Sequence, residues 1–260
     1  MNQGTSAGRE RLTAIVQGQR PDRPPVSFWR HFYTEENDPR RLSDALLGFH
    51  RQFSWDWIKI NPRGSYHLED WGFLYEPSTH PLQKPVKKHF PVQTAQDWER
   101  ITPRPVTEGA LGEQLNLVSR VVEQAAGDPV LMTVFSPLSI AGDLVPDDGV
   151  LVRHIQEHPD RVASALSAIT ETFEQFVREA LHAGADGIFF ATTQWASRTR
   201  MTEAAYDAWG RPYDLRVLGA ATGAPFNLLH VCEAESLIRE LSDYPVQLLN
   251  WGFEESGNPD

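Results

Sequence analysis

One cysteine, Cys232, and three methionines hold all the sulfur in 260 residues. A single cysteine excludes an internal disulfide framework and fits a reducing compartment. No stretch approaches the roughly 18 consecutive apolar residues of a membrane span. The opening Met-Asn-Gln-Gly-Thr-Ser lacks the apolar centre of a secretory signal. Basic residues are scarce: 24 Lys and Arg face 35 Asp and Glu, for a formal net charge of -11. No basic block offsets that balance, so neither nucleic acid nor an anionic membrane is expected as a partner. Repeats, low-complexity tracts and linker composition are also missing. The expectation is one cytoplasmic globular domain over residues 1–260.

What is present is alternation. Short apolar runs at 25–29, 57–61, 130–135, 187–191, 226–231 and 246–251 are separated by helical stretches, the pattern of a parallel α/β fold. The runs carry few charges and alternate poorly, as strands buried on both faces do. Asp38-Pro39 opens a helix towards Phe53, with Pro in the first turn. His158-Pro159 opens another, apolar at Val162, Leu166, Ile169, Phe173, Phe176 and Val177, that ends at Gly184. Thr202 offers a cap for a helix through Trp209. Residues 62–105 break the alternation. Rich in Pro, His and aromatics, they read as an ordered loop or hairpin insertion, placed as a lid over the carboxyl ends of the strands. Within it His67, His80 and His89 read as solvated loop residues, too far apart for a local metal motif.

His230-Val-Cys232 closes the fifth run. On a strand, residues two apart share a face, so an imidazole and a thiol converge, and both suit a borderline metal such as zinc. Two donors fall short of the three or four that zinc takes. The bland alternative is a core histidine beside a small buried thiol.

The stretch Arg9-Glu-Arg-Leu-Thr-Ala-Ile-Val-Gln-Gly-Gln-Arg-Pro-Asp-Arg-Pro-Pro-Val-Ser-Phe-Trp-Arg30 resembles the start of the uroporphyrinogen decarboxylase superfamily. Trp57-Ile-Lys-Ile, Phe135-Ser-Pro-Leu-Ser, Gly184-Ala-Asp-Gly-Ile-Phe-Phe, Gln194-Trp195-Ala196 with Met201-Thr202, and His230-Val-Cys232 continue the likeness in order. The resemblance implies a TIM (β/α)8-type barrel with about six βα units present and strands seven and eight missing. Open sheet edges of that kind are expected to favour self-association or pairing with another chain.

Two chemistries follow from the resemblance. One is zinc-thiolate methyl transfer linked to a corrinoid protein, with His230 and Cys232 as metal ligands and a third ligand lying past Asp260. The other is cofactor-free decarboxylation of uroporphyrinogen or a similar polycarboxylate in porphyrin biosynthesis. Arg30 stands at the family's strand-one arginine, where a guanidinium would grip a substrate carboxylate. Against the decarboxylase, Thr34 replaces a second arginine, and Asn61-Pro62 stands where its aspartate falls. The substrate-binding candidates are Arg30, His31, Asn61, Gln194, Trp195 and Thr202; the catalytic ones are Arg30, His230 and Cys232. The substrate is expected to be a small molecule, tetrapyrrole or corrinoid, and the resemblance suggests a homodimer. A truncated, non-catalytic barrel is the third reading.

Overall fold

The computed structural model describes residues 6–260. Five strands form one parallel sheet in the order β1-β4-β5-β6-β7: β1 (Ile58–Ile60), β4 (Val130–Phe135), β5 (Gly187–Ala191), β6 (Leu228–Val231) and β7 (Leu248–Trp251). Two further strands, β2 (Leu74–Glu76) and β3 (Val86–His89), pair antiparallel in a separate hairpin. The sheet curls around an interior cluster of Leu12, Trp57, Leu131, Phe189, Ala191, Phe226 and Leu228. A larger core lies outside the sheet, beneath the helices. This is the two-shell arrangement of a barrel-type α/β fold. The barrel is not closed: a cleft separates β7 from residues 25–29. Among the described residues no helix is long and apolar enough to cross a membrane.

Helix α1 (Ala7–Val16) plugs the amino end of the sheet. Ser6 caps it, accepting from the Arg9 N–H. The Arg9 guanidinium forks onto Asp186 at 2.7 and 2.9 Å, just before β5. Gly8 is required here, since a Cβ would sit 2.0 Å from the Asp56 carbonyl oxygen. That contact lets Leu12 descend into the barrel interior.

Four helices start as their sequences dictate. Asp38 caps α2 (Pro39–Phe53) through the Arg40 and Arg41 N–H groups. Asp70 reaches from the insertion to cap α3 (Gly109–Gln124), accepting from Ala110 and Leu111. Ser136 caps α4 (Pro137–Asp143), and Asp147 caps α5 (Asp148–Glu157). The 24-residue α6 (Pro159–His182) buries Val162, Leu166, Ile169, Phe173, Phe176 and Val177, and the chain leaves it through Gly184 at φ +100°. Thr202 caps α7 (Glu203–Trp209), and α8 (Arg211–Ala220) packs on α6.

Two expectations need correction. Residues 25–29 run beside β1 but form no ladder strand. Proline at 24 and 25 has no N–H to give. The Asp56 carboxylate instead takes the Val26 N–H at 2.7 Å and is gripped by Arg11 and Arg23, while Ser27 Oγ donates to the Trp57 carbonyl. Burial alone would raise the Asp56 pKa, but these donors hold it below the usual value. Side chains therefore replace the ladder. The second correction is His67, which is buried, with Nε2 3.1 Å from Asp143 Oδ2. His80 and His89 are exposed. The segment 62–105 is ordered by burial of Tyr66, Trp71, Phe73, Val92 and Trp98 in the outer core.

Candidate active site

The parallel ladder assembles the interior site. His230 on β6 stands opposite Asn250 on β7 and Ala191 on β5. Register therefore places the imidazole beside the amide, and Nδ1 lies 2.6 Å from Asn250 Oδ1. An amide oxygen only accepts, so Nδ1 carries the proton and Nε2 keeps its lone pair. Burial lowers the His230 pKa, Lys59 lowers it further, and the Asn250 bond opposes them. The ring is neutral at pH 7. Its walls are aromatic: Phe189 lies 5.0 Å away and Trp29 6.4 Å, centroid to centroid.

Cys232 lies one residue past β6, where Glu233 takes φ +74° and turns the chain. Burial first, then the Glu233 charge, pushes its thiol up to about 11. Lys59 is the unexpected member. It sits mid-strand on β1, 7% exposed, with Nζ 4.2 Å from the Phe189 centroid and 4.6 Å from that of Trp29. It donates to Asn61 Oδ1 at 2.9 Å, and no carboxylate pairs with it among the described residues. Burial pushes its pKa down to about 7, with Cys232 pulling weakly the other way. His230, Cys232, Asn250 and Trp29 line the cleft beside β7, about 640 Å³ in volume.

These side chains stand at and inside the carboxyl ends of parallel strands, where barrel enzymes place their chemistry. The sequence model of the uroporphyrinogen decarboxylase (URO-D) family matches residues 7–256. The chain belongs to that family.

A methyltransferase from Methanosarcina mazei has a similar fold, with a TM-score of 0.75 at 18% identity over 94% of this chain and 75% of that one. A B12-independent methionine synthase from Shewanella sp. W3-18-1 gives 0.46 at 11%, over 79% of this chain and 56% of that one. A search of curated proteins finds no match.

In this URO-D family chain the sequence candidates divide. His230 and Cys232 both line the cleft; Asn61 does not, and its Oδ1 accepts from Lys59. Arg30 is exposed outside it, its guanidinium 5.2 Å from the Phe32 centroid, beside Glu35, Arg41 and Asp44. His31 stacks on Tyr33 and faces Glu36. Trp195 is fully buried against Gly142, Gln194 is half-buried beside it, and Thr202 is the exposed cap of α7. Lys59, Asn250 and Trp29 were not singled out from sequence. A lysine inside Trp57-Ile-Lys-Ile, on a strand read as apolar on both faces, was the signal for the first.

The donors suit zinc in kind but not in number. Among the described residues no group of three His, Cys, Asp or Glu could hold a metal ion.

Proposed function

We propose that this URO-D family chain is an enzyme of methyl transfer in which the Cys232 sulfur is the group that takes up the methyl. The observation supporting this reading is the placement of Cys232 in the cleft next to a histidine held in one tautomer by Asn250. In the reaction a sulfur lone pair attacks the methyl carbon, the bond from carbon to its carrier breaks, and the thiol proton leaves for a base. With a pKa of about 11, roughly one Cys232 in ten thousand is thiolate at pH 7. A cation beside the sulfur would raise that fraction. Lys59 acts in this direction, and its amine is a base for the released proton. The neutral Nε2 of His230 is a second acceptor. Zinc would supply the same activation; His230 and Cys232 are the donors that would hold it, and the described residues offer no third. The Methanosarcina mazei neighbour, a methyltransferase, is in line with this reading.

Methylcobalamin is the test donor, because the resemblance points to a corrinoid carrier. The expected product is S-methylcysteine at 232 by peptide mass spectrometry, absent in Cys232→Ser and slowed about tenfold in His230→Ala. Demethylation of the corrinoid that survives Cys232→Ser would overturn the proposal.

One observation favours a second reading. Lys59 is a buried amine with no carboxylate partner among the described residues, and a substrate carboxylate would supply one. Decarboxylation of uroporphyrinogen or a related polycarboxylate would then tolerate Cys232→Ser and chelators, and would be lost in Lys59→Met. Coproporphyrinogen formation measures it.

A further inference from the structure

A second pocket shares no lining residue with the β7 cleft. It lies between the chain after residue 30 and the β2–β3 hairpin, with a volume of about 210 Å³, and His31, Tyr33, Ser65, Tyr75, Lys84 and Lys87 line it. Its polar inventory is one-sided. Lys84 and Lys87 make no ion pair among the described residues, whereas Lys88, the next residue on β3, pairs with Glu76. Successive strand residues point to opposite faces, so only one of these two neighbours can turn to the pocket. Burial and the nearby Glu36 both raise the Tyr33 pKa, so its hydroxyl remains a donor.

The acidic groups around the pocket are paired or kept from solvent, although the Glu36 charge still reaches Tyr33 and Tyr75. Arg63 grips Glu69 and Glu113, and Ser65 Oγ donates to Glu69. Glu36 is 2% exposed, and neither of its carboxylate oxygens has a hydrogen-bond partner among the described residues. The His31 ring covers it. Nδ1 of His31 is buried without a hydrogen bond, 3.6 Å from Glu36 Oε2, yet 37% of the side chain is exposed. The exposed part is therefore the opposite edge of the ring, which carries Nε2. That edge, a phenol and two lysines without an ion pair among the described residues, the Lys87 ammonium lying 5.6 Å from the Phe90 centroid, line one small cavity of an otherwise acidic protein. Groups of this kind recognise clustered anionic oxygens.

We infer that this pocket binds a small anionic metabolite bearing a phosphate or a pair of carboxylates, held by Lys84, Lys87, Tyr33 and His31. The volume suits a small metabolite and is too small for a tetrapyrrole.

Lysine acetylation read by mass spectrometry tests this on the intact chain, with glycerol phosphate and succinate as probes. One of them is expected to slow acetylation of Lys84 and Lys87 several-fold, with half-protection below about 1 mM, and to leave Lys88 unchanged. Which probe protects decides between phosphate and dicarboxylate. The double variant Lys84→Ala, Lys87→Ala should weaken binding by about tenfold or more, as loss of charge-assisted bonds does. Both lysines are exposed, so its melting temperature should match that of the parent. Cys232→Ser should bind as the parent does, which keeps this outcome separate from that of methyl transfer. Equal protection of Lys87 and Lys88, no protection by either probe, or undiminished binding by the double variant would overturn the inference.

Discussion

Replacing Lys59 by methionine should stabilise the protein, and should do so most at low pH. Free lysine titrates at 10.5 and Lys59 at about 7. At about 1.36 kcal/mol per tenfold change in proton affinity, the native state penalises the charged form by roughly 5 kcal/mol. Below pH 7 both native and unfolded chains hold the proton, and the whole penalty is present. Between pH 7 and 10.5 the unfolded chain keeps it and the native chain does not, so native stability rises with pH. Methionine fills a similar volume and carries no such penalty. It forfeits the attraction to Trp29 and Phe189, about 0.5–2 kcal/mol, and leaves the Asn61 oxygen without its donor, about 1–3 kcal/mol. The net expectation at pH 6 is a gain of about 2 kcal/mol, within bounds of roughly 0 and 3.5 kcal/mol. Urea unfolding of both proteins from pH 6 to 10 measures it, and the advantage should shrink and reverse as pH rises. A pH-independent difference, or a variant less stable than the parent at pH 6, would refute the account of Lys59 as an uncompensated buried cation.

Three further outcomes follow from the same structure. Burial pushes the Asp214 carboxyl up to about 7 although Tyr206 and Tyr244 both donate to it. The native state therefore binds that proton more tightly than the unfolded chain, and its contribution to stability, full below about pH 4, is lost as pH rises through 7. Asp214→Asn should remove this slope from unfolding measured between pH 4 and 8. Iodoacetamide should alkylate Cys232 slowly at pH 7, with a rate rising nearly tenfold per pH unit up to about pH 10, as a thiol with a pKa near 11 requires; a plateau near pH 8 would contradict its burial. Gly142→Ala would place a methyl 2.2 Å from Trp195 Nε1 and should cost about 1–3 kcal/mol in urea unfolding.

Local signals carried most of the fold. Asp38-Pro39, Thr202 and Gly184 mark helix ends through bonds made within a few residues, so the sequence displays them. The expected strand at 25–29 failed because the Asp56 carboxylate, 30 residues from Val26, takes the place of a ladder. His67 was misplaced for the same reason, with its partner Asp143 lying 76 residues on. Arg30 was expected in the site from its place at the carboxyl end of a strand at 25–29; the structure has no ladder there, and Arg30 is exposed outside the cleft. His230 was placed on its strand by the apolar run that precedes it, while Cys232 lies just past the strand and reaches the same cleft from the turn. Their companions Lys59 and Asn250 were not legible, because only sheet order and register bring them to His230.

The Asp56 clamp has a consequence for how the molecule breathes. Residues 25–29 form one wall of the cleft, yet a few side-chain bonds and a single backbone pair, Asp56 N–H to the Val26 carbonyl, hold them to β1. The β1 amides on the side facing β4 are held by ladder bonds at the edge of the five-stranded sheet, starting with the bond from Ile58 to Pro129. Segments secured so differently open with different free energies. In deuterated buffer the amides of Ser27, Phe28 and Trp29 should exchange long before those of Ile58 and Ile60, marking this wall as a unit that parts from the sheet while the rest stays folded.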